Sequence, residues 1–164
     1  MQQDTSIYKK ITAFAIDLMG IDDVDSTLKF ISSKANKLLN TQRCSIFVVD
    51  SENNAFWTIL NDETDMITIP INSGIIGKTY ATKMAQLVNN PYETSEFMSS
   101  IDKKIDFKTE NIITAPIFDS KQEIIAIIEL LNKNEGEFND SDLEILNFFA
   151  NFISGSLEFS LMDS

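Results

Sequence analysis

One carboxylate stands inside the most apolar segment of the chain. Glu129 interrupts the run Ile124–Lys133, whose short length and branched side chains predict a strand buried on both faces. A carboxylate in such a strand is costly unless it is hydrogen-bonded. Glu129 therefore either accepts a hydrogen bond from an amine or hydroxyl of a ligand, or accepts one from a backbone N–H or a lysine of the protein itself.

Few other residues have the chemistry of a catalyst. The 164-residue chain has no histidine and one cysteine, Cys44, which lies in a predicted strand. The missing histidines remove the usual general base and the usual zinc ligand, and a lone cysteine cannot form an intrachain disulfide. Because no nucleophile–base pair is visible, we expect that the chain itself is not an enzyme.

The formal charge of −12 limits the partners of the chain. Negative charge repels nucleic acid and anionic lipid, so we expect no binding to nucleic acid or membrane. An anionic small ligand requires local donors that overcome that field. We find no signal-peptide pattern and no apolar run long enough to span a bilayer, and the single cysteine fits a reducing compartment. These features predict a cytoplasmic location.

Two glycines, Gly74 and Gly77, mark a predicted turn from a strand into a helix. Exposed N–H groups at a helix start can bind an anion, but for two glycines alone a close backbone approach is the better explanation. The segment Gly77–Thr79 looks like the end of a P-loop, but it lacks the upstream glycine spacing of that motif.

The segment after Lys133 predicts a short polar loop and then a long helix over about 141–160. Ser141 and Glu144 have the capping-box spacing that begins such a helix. Lys133 and Asp142 flank the loop closely enough to form an ion pair, which would orient the loop rather than add much stability. The helix is apolar on more than one face, so it packs against the sheet and against something else.

A second striped helix is predicted over about 5–20, at the start of the chain. Because both terminal helices carry apolar stripes, we predict a homodimer that forms through them. Between them lie a further helix, a polar insertion over 93–110, and strands near 43–50, 55–60, 66–71, 86–92, 111–119 and 124–133. We interpret 1–164 as a single domain with a core at about 25–156.

This order of elements resembles a GAF domain over about residues 25–156. Most specific is the Asn-Lys…Phe…Asp-Glu signature of the GAF domains in cyclic-nucleotide phosphodiesterases and some adenylyl cyclases. Its first four positions are matched by Asn132, Lys133, Phe138 and Asp142. The fifth position, a glutamate in the signature, is Leu143. The resemblance implies an α/β (α+β) fold with a central six-stranded antiparallel sheet, terminal helices on one face and a ligand pocket on the other.

The resemblance also implies which residues have which role. The ligand-binding positions of the family fall on Ser45, Ile75, Ile76, Asp102, Ile105, Thr109 and Glu129. The signature residues Asn132, Lys133, Phe138 and Asp142 would brace the fold beneath the pocket. Three positions depart from the family pattern, because Ile105 replaces a threonine, Asp106 replaces a glycine, and Ile76 stands where a small residue is usual. With Arg43 the only arginine, a phosphate would rest on N–H groups and hydroxyls.

By resemblance, the chain is a non-catalytic sensor module. Its ligand would be cAMP, cGMP or another small molecule, with no other cofactor, and the terminal helices would pass the ligand state to an attached output domain. One alternative is a degenerate GAF domain that only dimerises, with its pocket filled by Ile75, Ile76 and Ile105. The methionine-sulfoxide reductases that share the fold need several cysteines for disulfide exchange, which this chain does not have.

Overall fold

The computed structural model describes residues 2–59, 66–93 and 108–162. The predicted ligand residues Asp102 and Ile105, and the neighbouring Asp106, lie outside these ranges.

Six strands form one antiparallel sheet, as predicted. They are β1 (Thr41–Asp50), β2 (Ala55–Ile59), β3 (Met66–Pro70), β4 (Gln86–Val88), β5 (Ile112–Phe118) and β6 (Ile124–Lys133). Their order across the sheet is β3-β2-β1-β6-β5-β4. β6 is apolar on both faces because it lies between β1 and β5 and is covered from both sides.

In the part of the chain that the structure describes, four helices accompany the sheet. They are α1 (Gln2–Leu18), α2 (Val24–Leu39), α3 (Gly74–Thr82) and α4 (Asp140–Met162), and a short 3-10 turn spans Pro91–Glu93. The terminal helices α1 and α4 are the two that the sequence predicts over about 5–20 and 141–160.

The two faces of the sheet have different covers. Helices α1, α2 and α4 pack on one face, where alternate strand residues such as Ile46, Ile113 and Ile128 join the main core. The intervening residues, among them Phe47 and Ile127, form a second apolar cluster on the opposite face, where α3 packs on β5 and β6. The expectation that the terminal helices share one face is confirmed.

The beginning of α4 differs from the sequence prediction. The cap is Asn139 rather than Ser141: its Oδ1 accepts from the backbone N–H of Asp142 at 2.9 Å, and Asp142 Oδ2 accepts from the N–H of Asn139 at 3.0 Å. Ser141 lies inside the helix. The capping box begins two residues earlier because Asn is also a strong cap and Asp142 is held in place by Lys133.

Helix α4 is also a longer apolar segment than the sequence inspection indicated. By length and composition alone it is able to cross a membrane. It packs along α2 and β5, and Leu146, Ala150, Ile153 and Leu157 on its inner face are fully buried. The core helix of a folded domain can have the same length and composition as a membrane span.

Candidate functional site

Three polar residues lie side by side on the central strands. Ser45 of β1 is directly opposite Glu129 of β6, and Glu129 is directly opposite Thr114 of β5. Because side chains alternate along a strand, Ser45 and Glu129 share the face of Phe47 and Ile127, opposite the terminal helices. We call these three residues the polar row. The structure therefore brings together two of the predicted ligand residues and adds a third that the resemblance does not indicate.

Helix α3 lies over the strands that carry this row. The predicted ligand residues Ile75 and Ile76 are both buried in its first turn, and Ile76 joins the apolar cluster beneath. Gly77 lies so close to Asn72 that a Cβ on it would be 2.5 Å from the Asn72 carbonyl carbon. The close backbone approach expected at this glycine is present, between the first turn of α3 and the turn that precedes it.

A chain of hydrogen bonds fastens α3 to the end of the polar row. The backbone N–H of Gln86 donates to the Thr114 hydroxyl at 3.2 Å, and the hydroxyls of Thr114 and Thr79 lie 2.6 Å apart. The Thr79 hydroxyl donates to the Ile75 carbonyl at 2.8 Å, so the proton between the two threonines comes from Thr114. Both threonines are fully buried. The chain joins β4, β5 and α3 next to Glu129.

Thr109 occupies a different place from the polar row. It lies before the start of β5, and its backbone N–H donates to the Tyr92 hydroxyl at 3.3 Å. With its neighbours it lines an open cavity of about 360 Å³ at that end of the sheet. The residue of β5 that pairs with Glu129 is Thr114, which is five residues after Thr109 in the chain. Thr109 therefore lies apart from Ser45 and Glu129.

Asn132 fastens the segment before β5 to the end of β6. It has a φ of +62°, in the left-handed region that asparagine tolerates better than most residues. Its Oδ1 accepts from the backbone N–H groups of Glu110 and Asn111, and its Nδ2 donates to the Lys108 carbonyl at 2.8 Å. Asn111 completes the junction, because its Oδ1 accepts from the Lys133 N–H at 2.8 Å.

The rest of the signature forms a second junction beside the first. The expected ion pair is present, with Lys133 Nζ 2.7 Å from Asp142 Oδ1 and both side chains largely buried. The Lys133 ammonium also lies 5.8 Å from the centre of the Phe138 ring. Asn89, just after β4, holds the Phe138 backbone from both sides, donating to its carbonyl at 3.2 Å and accepting from its N–H at 3.1 Å.

Together the two junctions hold both sides of residues 94–107. Asn89 lies before that segment and is bonded to Phe138 in the loop between β6 and α4. Lys108, Glu110 and Asn111 lie after the segment and are bonded to Asn132 at the end of β6. Only the tertiary contacts give Asn89 and Asn111 these roles. Thr79 and Thr114 had no sequence signal beyond their positions in a helix start and a buried strand.

The lone cysteine is half-buried, and its side chain packs against the main core. Burial raises the pKa of the Cys44 thiol well above its usual range; the nearby Ser32 hydroxyl opposes this shift and the charge of Glu129 adds to it. A protonated thiol is a poor nucleophile. Among the residues that the structure describes, no group of three or more His, Cys, Asp or Glu is arranged to hold a metal ion.

A comparison with models of known families gives the same family as the fold and the signature residues. A model of the GAF domain matches residues 23–157. The chain is therefore a member of the GAF domain family.

The relatives that the chain matches are much longer proteins. The chain is 25% identical over 161 residues to the probable 3′,5′-cyclic phosphodiesterase pde-5 of Caenorhabditis elegans, covering 87% of this chain and 22% of that protein. It is 30% identical over 132 residues to the dual 3′,5′-cyclic-AMP and -GMP phosphodiesterase 11A of Takifugu rubripes, covering 70% and 14%. The chain thus spans less than a quarter of either relative.

Among solved structures, the fold is similar to a GAF domain from a phosphoenolpyruvate-protein phosphotransferase of Coxiella burnetii. The TM-score is 0.82 at 11% identity, covering 96% of this chain and 95% of that one. It is also similar to the free methionine-R-sulfoxide reductase of Neisseria meningitidis, solved with its substrate, with a TM-score of 0.76 at 13% identity and coverages of 96% and 92%. At such identities the likeness shows the fold alone.

Proposed function

We propose that the chain is a regulatory small-molecule sensor whose ligand is a cyclic nucleotide. The observation that carries this proposal is the polar row on the sheet face opposite the terminal helices: Ser45 and Glu129 are the residues that we propose contact the ligand, while Thr114 is fully buried and bonded to Thr79 and Gln86. Most of that face is apolar, and helix α3 packs over part of it. An apolar surface with a few convergent polar groups is the usual make-up of a small-molecule site.

The chemistry of the row suits a nucleoside better than a phosphate. The Glu129 carboxylate can accept from an exocyclic amine or a ribose hydroxyl, and the Ser45 hydroxyl can both donate and accept. The cyclic phosphate would depend on N–H groups at the start of α3 and on hydroxyls. The similarity to cyclic-nucleotide phosphodiesterases supports this class of ligand.

We further propose that the module is not catalytic. Although one structural neighbour is a methionine-sulfoxide reductase, this chain has a single cysteine, and burial raises the pKa of that thiol. Disulfide exchange needs a thiolate and a partner thiol. Any catalytic activity would then belong to an output domain of a longer protein, which we place in the cytoplasm.

Ligand state would pass from the polar row to α4 through β6. Glu129 is followed on the same strand by Asn132 and Lys133, and Lys133 is paired with Asp142 in the first turn of α4. A small shift of β6 would therefore move α4, and with it the homodimer that we propose forms through α1 and α4.

Titration calorimetry of the 164-residue chain with cAMP, cGMP and adenosine tests the proposal. We expect saturable binding of one cyclic nucleotide, weakened about tenfold or more by Glu129→Gln because one charge-assisted hydrogen bond is lost. The matched control Glu123→Gln removes the same charge from the exposed β5–β6 hairpin and should leave binding unchanged.

The second candidate function is dimerisation without a ligand. It is favoured by an aromatic patch on α4 that stays exposed in the single chain. The ring centroids of Phe148 and Phe152 are 5.6 Å apart, and the ring centroid of Tyr8 of α1 lies 4.6 Å from that of Phe148. No heat with any of the three compounds, from a chain that is dimeric in solution, would support this candidate and contradict the cyclic-nucleotide proposal.

A further inference from the structure

A cleft of about 400 Å³ opens between α2 and the edge of the sheet. It exists because β2 pairs with β1 only over Ala55–Trp57, whereas β2 pairs with β3 along its whole length. The two strands therefore separate beyond Trp57, and within the residues that the structure describes the first half of β1 has no strand on that side. Residues of both strands, including Arg43, Cys44 and Thr58, reach the cleft.

The helix side of this cleft is polar. The lining residues of α2 recur every three or four positions along one face, and they are Asp25, Leu28, Lys29, Ser32, Ser33, Asn36 and Lys37. The adjoining face, with Ile31, Ala35 and Leu39, is buried in the main core. A helix face that only packed on a strand would be apolar. The serines and the asparagine of this face give the cleft a polar wall, and the Ser32 hydroxyl is also a hydrogen-bond partner of the Cys44 side chain of β1.

The charge of the cleft is opposite to that of the whole chain. Lys29, Lys37 and Arg43 line it with Asp25 as the one carboxylate among the described lining residues, although the chain carries a formal charge of −12. Arg43 is also the only arginine. A guanidinium has five N–H donors, so it can bind an acceptor in the cleft in addition to its contacts within the protein.

The neutral lining groups are donors as well. The Asn36 Oδ1 accepts from the Thr41 hydroxyl at 2.7 Å, so the group that this side chain has left to offer is its NH₂. Ser32 and Ser33 lie between the two lysines on the same face of α2 and supply hydroxyls. The cleft thus presents a lysine near each end and hydrogen-bond donors between the two lysines, which together can bind an anion.

We propose that this cleft is a second ligand site that takes a small organic anion, such as a phosphate ester. Its volume lies in the range of small-molecule sites, roughly 300–1,000 Å³. The net negative charge of the chain disfavours a large polyanion such as nucleic acid, which would extend beyond the basic residues that line the cleft. The site is built from α2, β1 and β2 and shares no side chain with the polar row, so it does not depend on what the row binds.

Amide chemical shifts of the ¹⁵N-labelled 164-residue chain, titrated with inorganic pyrophosphate against sodium chloride of equal ionic strength, test the proposal. We expect saturable shifts over residues 29–37 and 43–46, with millimolar affinity or tighter. Lys29→Gln combined with Lys37→Gln should weaken binding about tenfold or more, because two charge-assisted contacts are lost. Both lysines are exposed, so the variant should fold normally.

Lys121→Gln combined with Lys83→Gln is the matched control, because it removes two exposed lysines that are remote from the cleft. An equal loss of affinity in this control would show that pyrophosphate responds only to net charge and would overturn the proposal. It would also be overturned by the absence of saturable shifts, or by shifts confined to Ser45, Thr79 and Glu129. These outcomes are separate from those of the cyclic-nucleotide titration.

Discussion

At the scale of single residues, Asn132 makes four hydrogen bonds with its side chain. Its side chain accepts from two backbone N–H groups and donates to the Lys108 carbonyl and to Gln42 Oε1, and its own φ is positive. Only an asparagine offers an acceptor and two donors of this length and also tolerates that backbone conformation. These hydrogen bonds explain physically how a residue of the signature supports the fold.

Asn132→Ala is expected to lower the free energy of unfolding by about 3 kcal/mol or more. The change strands buried N–H groups and places alanine at positive φ, and each of these effects costs on the order of 1–3 kcal/mol. Urea denaturation followed by circular dichroism measures the loss. Asn134→Ala is the control, because Asn134 makes an exposed side-chain hydrogen bond to Asn40. A loss of the same size in both variants would contradict the role given to Asn132.

Cys44 gives the chain a predictable response to alkaline pH. Because burial raises the pKa of the folded thiol, only the unfolded chain loses this proton once the pH passes about 8.5, the ordinary cysteine value. The folded state then holds more protons than the unfolded one, so the free energy of unfolding falls as pH rises and is unaffected by this group below that value.

We therefore expect a steeper decline of stability above pH 8.5 or so in the native sequence than in Cys44→Ala, by up to about 1.4 kcal/mol per pH unit. Urea denaturation at a series of pH values measures both slopes, and the difference between them isolates the thiol from tyrosines and lysines. Parallel slopes would show that the thiol ionises equally well in the folded chain.

At the scale of elements, the first turn of α3 depends on the absence of a side chain at Gly77. A Cβ there would meet three backbone atoms of Asn72 at 2.5–2.9 Å, and backbone cannot swing aside as the end of a side chain can. The turn would have to move away from the sheet, and the contact of Ile76 with the apolar cluster beneath it would be weakened.

Gly77→Ala is thus expected to destabilise the chain by about 3 kcal/mol or more and to disturb binding at the polar row. Gly20→Ala is the control, because an added Cβ there lies at an ordinary 3.7 Å from the Asp17 carbonyl oxygen and should change the stability by less than about 1 kcal/mol. Thermal unfolding distinguishes the two. A neutral Gly77→Ala would mean that the turn adjusts freely.

At the scale of the whole molecule, α4 has two apolar faces. Its inner face is core, while Phe148, Phe152, Gly155, Phe159 and Met162 repeat at spacings of four and three along an exposed face. This is the spacing of a coiled-coil seam. Phe159 and Met162 are 68% and 77% exposed, which is unfavourable for a solitary chain but suits a helix that pairs with a second copy.

Phe152→Glu combined with Phe159→Glu is expected to convert the proposed dimer into monomer, because four like charges would then face one another across the seam. Sedimentation equilibrium measures the change. Met66→Glu combined with Met84→Glu adds the same charge at exposed apolar positions away from α4 and should leave the dimer intact. A native chain that is monomeric at high concentration would refute the predicted dimer.

The sequence by itself determined the strands, the long helix and the family, because these follow from local patterns. Ile124–Lys133 had to be a buried strand, since few other structures accommodate so many branched side chains in so short a segment. The ion pair of Lys133 with Asp142 followed from their separation across one short loop. The cap of α4 was misplaced by two residues, because Asn139 and Ser141 both have the chemistry of a cap and only the position of Asp142 selects between them.

Tertiary structure decided what local patterns leave open. The pairing of Ser45 with Glu129 and of Glu129 with Thr114 depends on the register of three strands that are far apart in the chain. The hydroxyl bond of Thr79 to Thr114, the clamp of Asn89 on Phe138 and the cleft between α2 and the separating strands arise in the same way. A sequence pattern records which face a residue occupies, but not which residue of another element lies opposite, because that depends on how the elements pack.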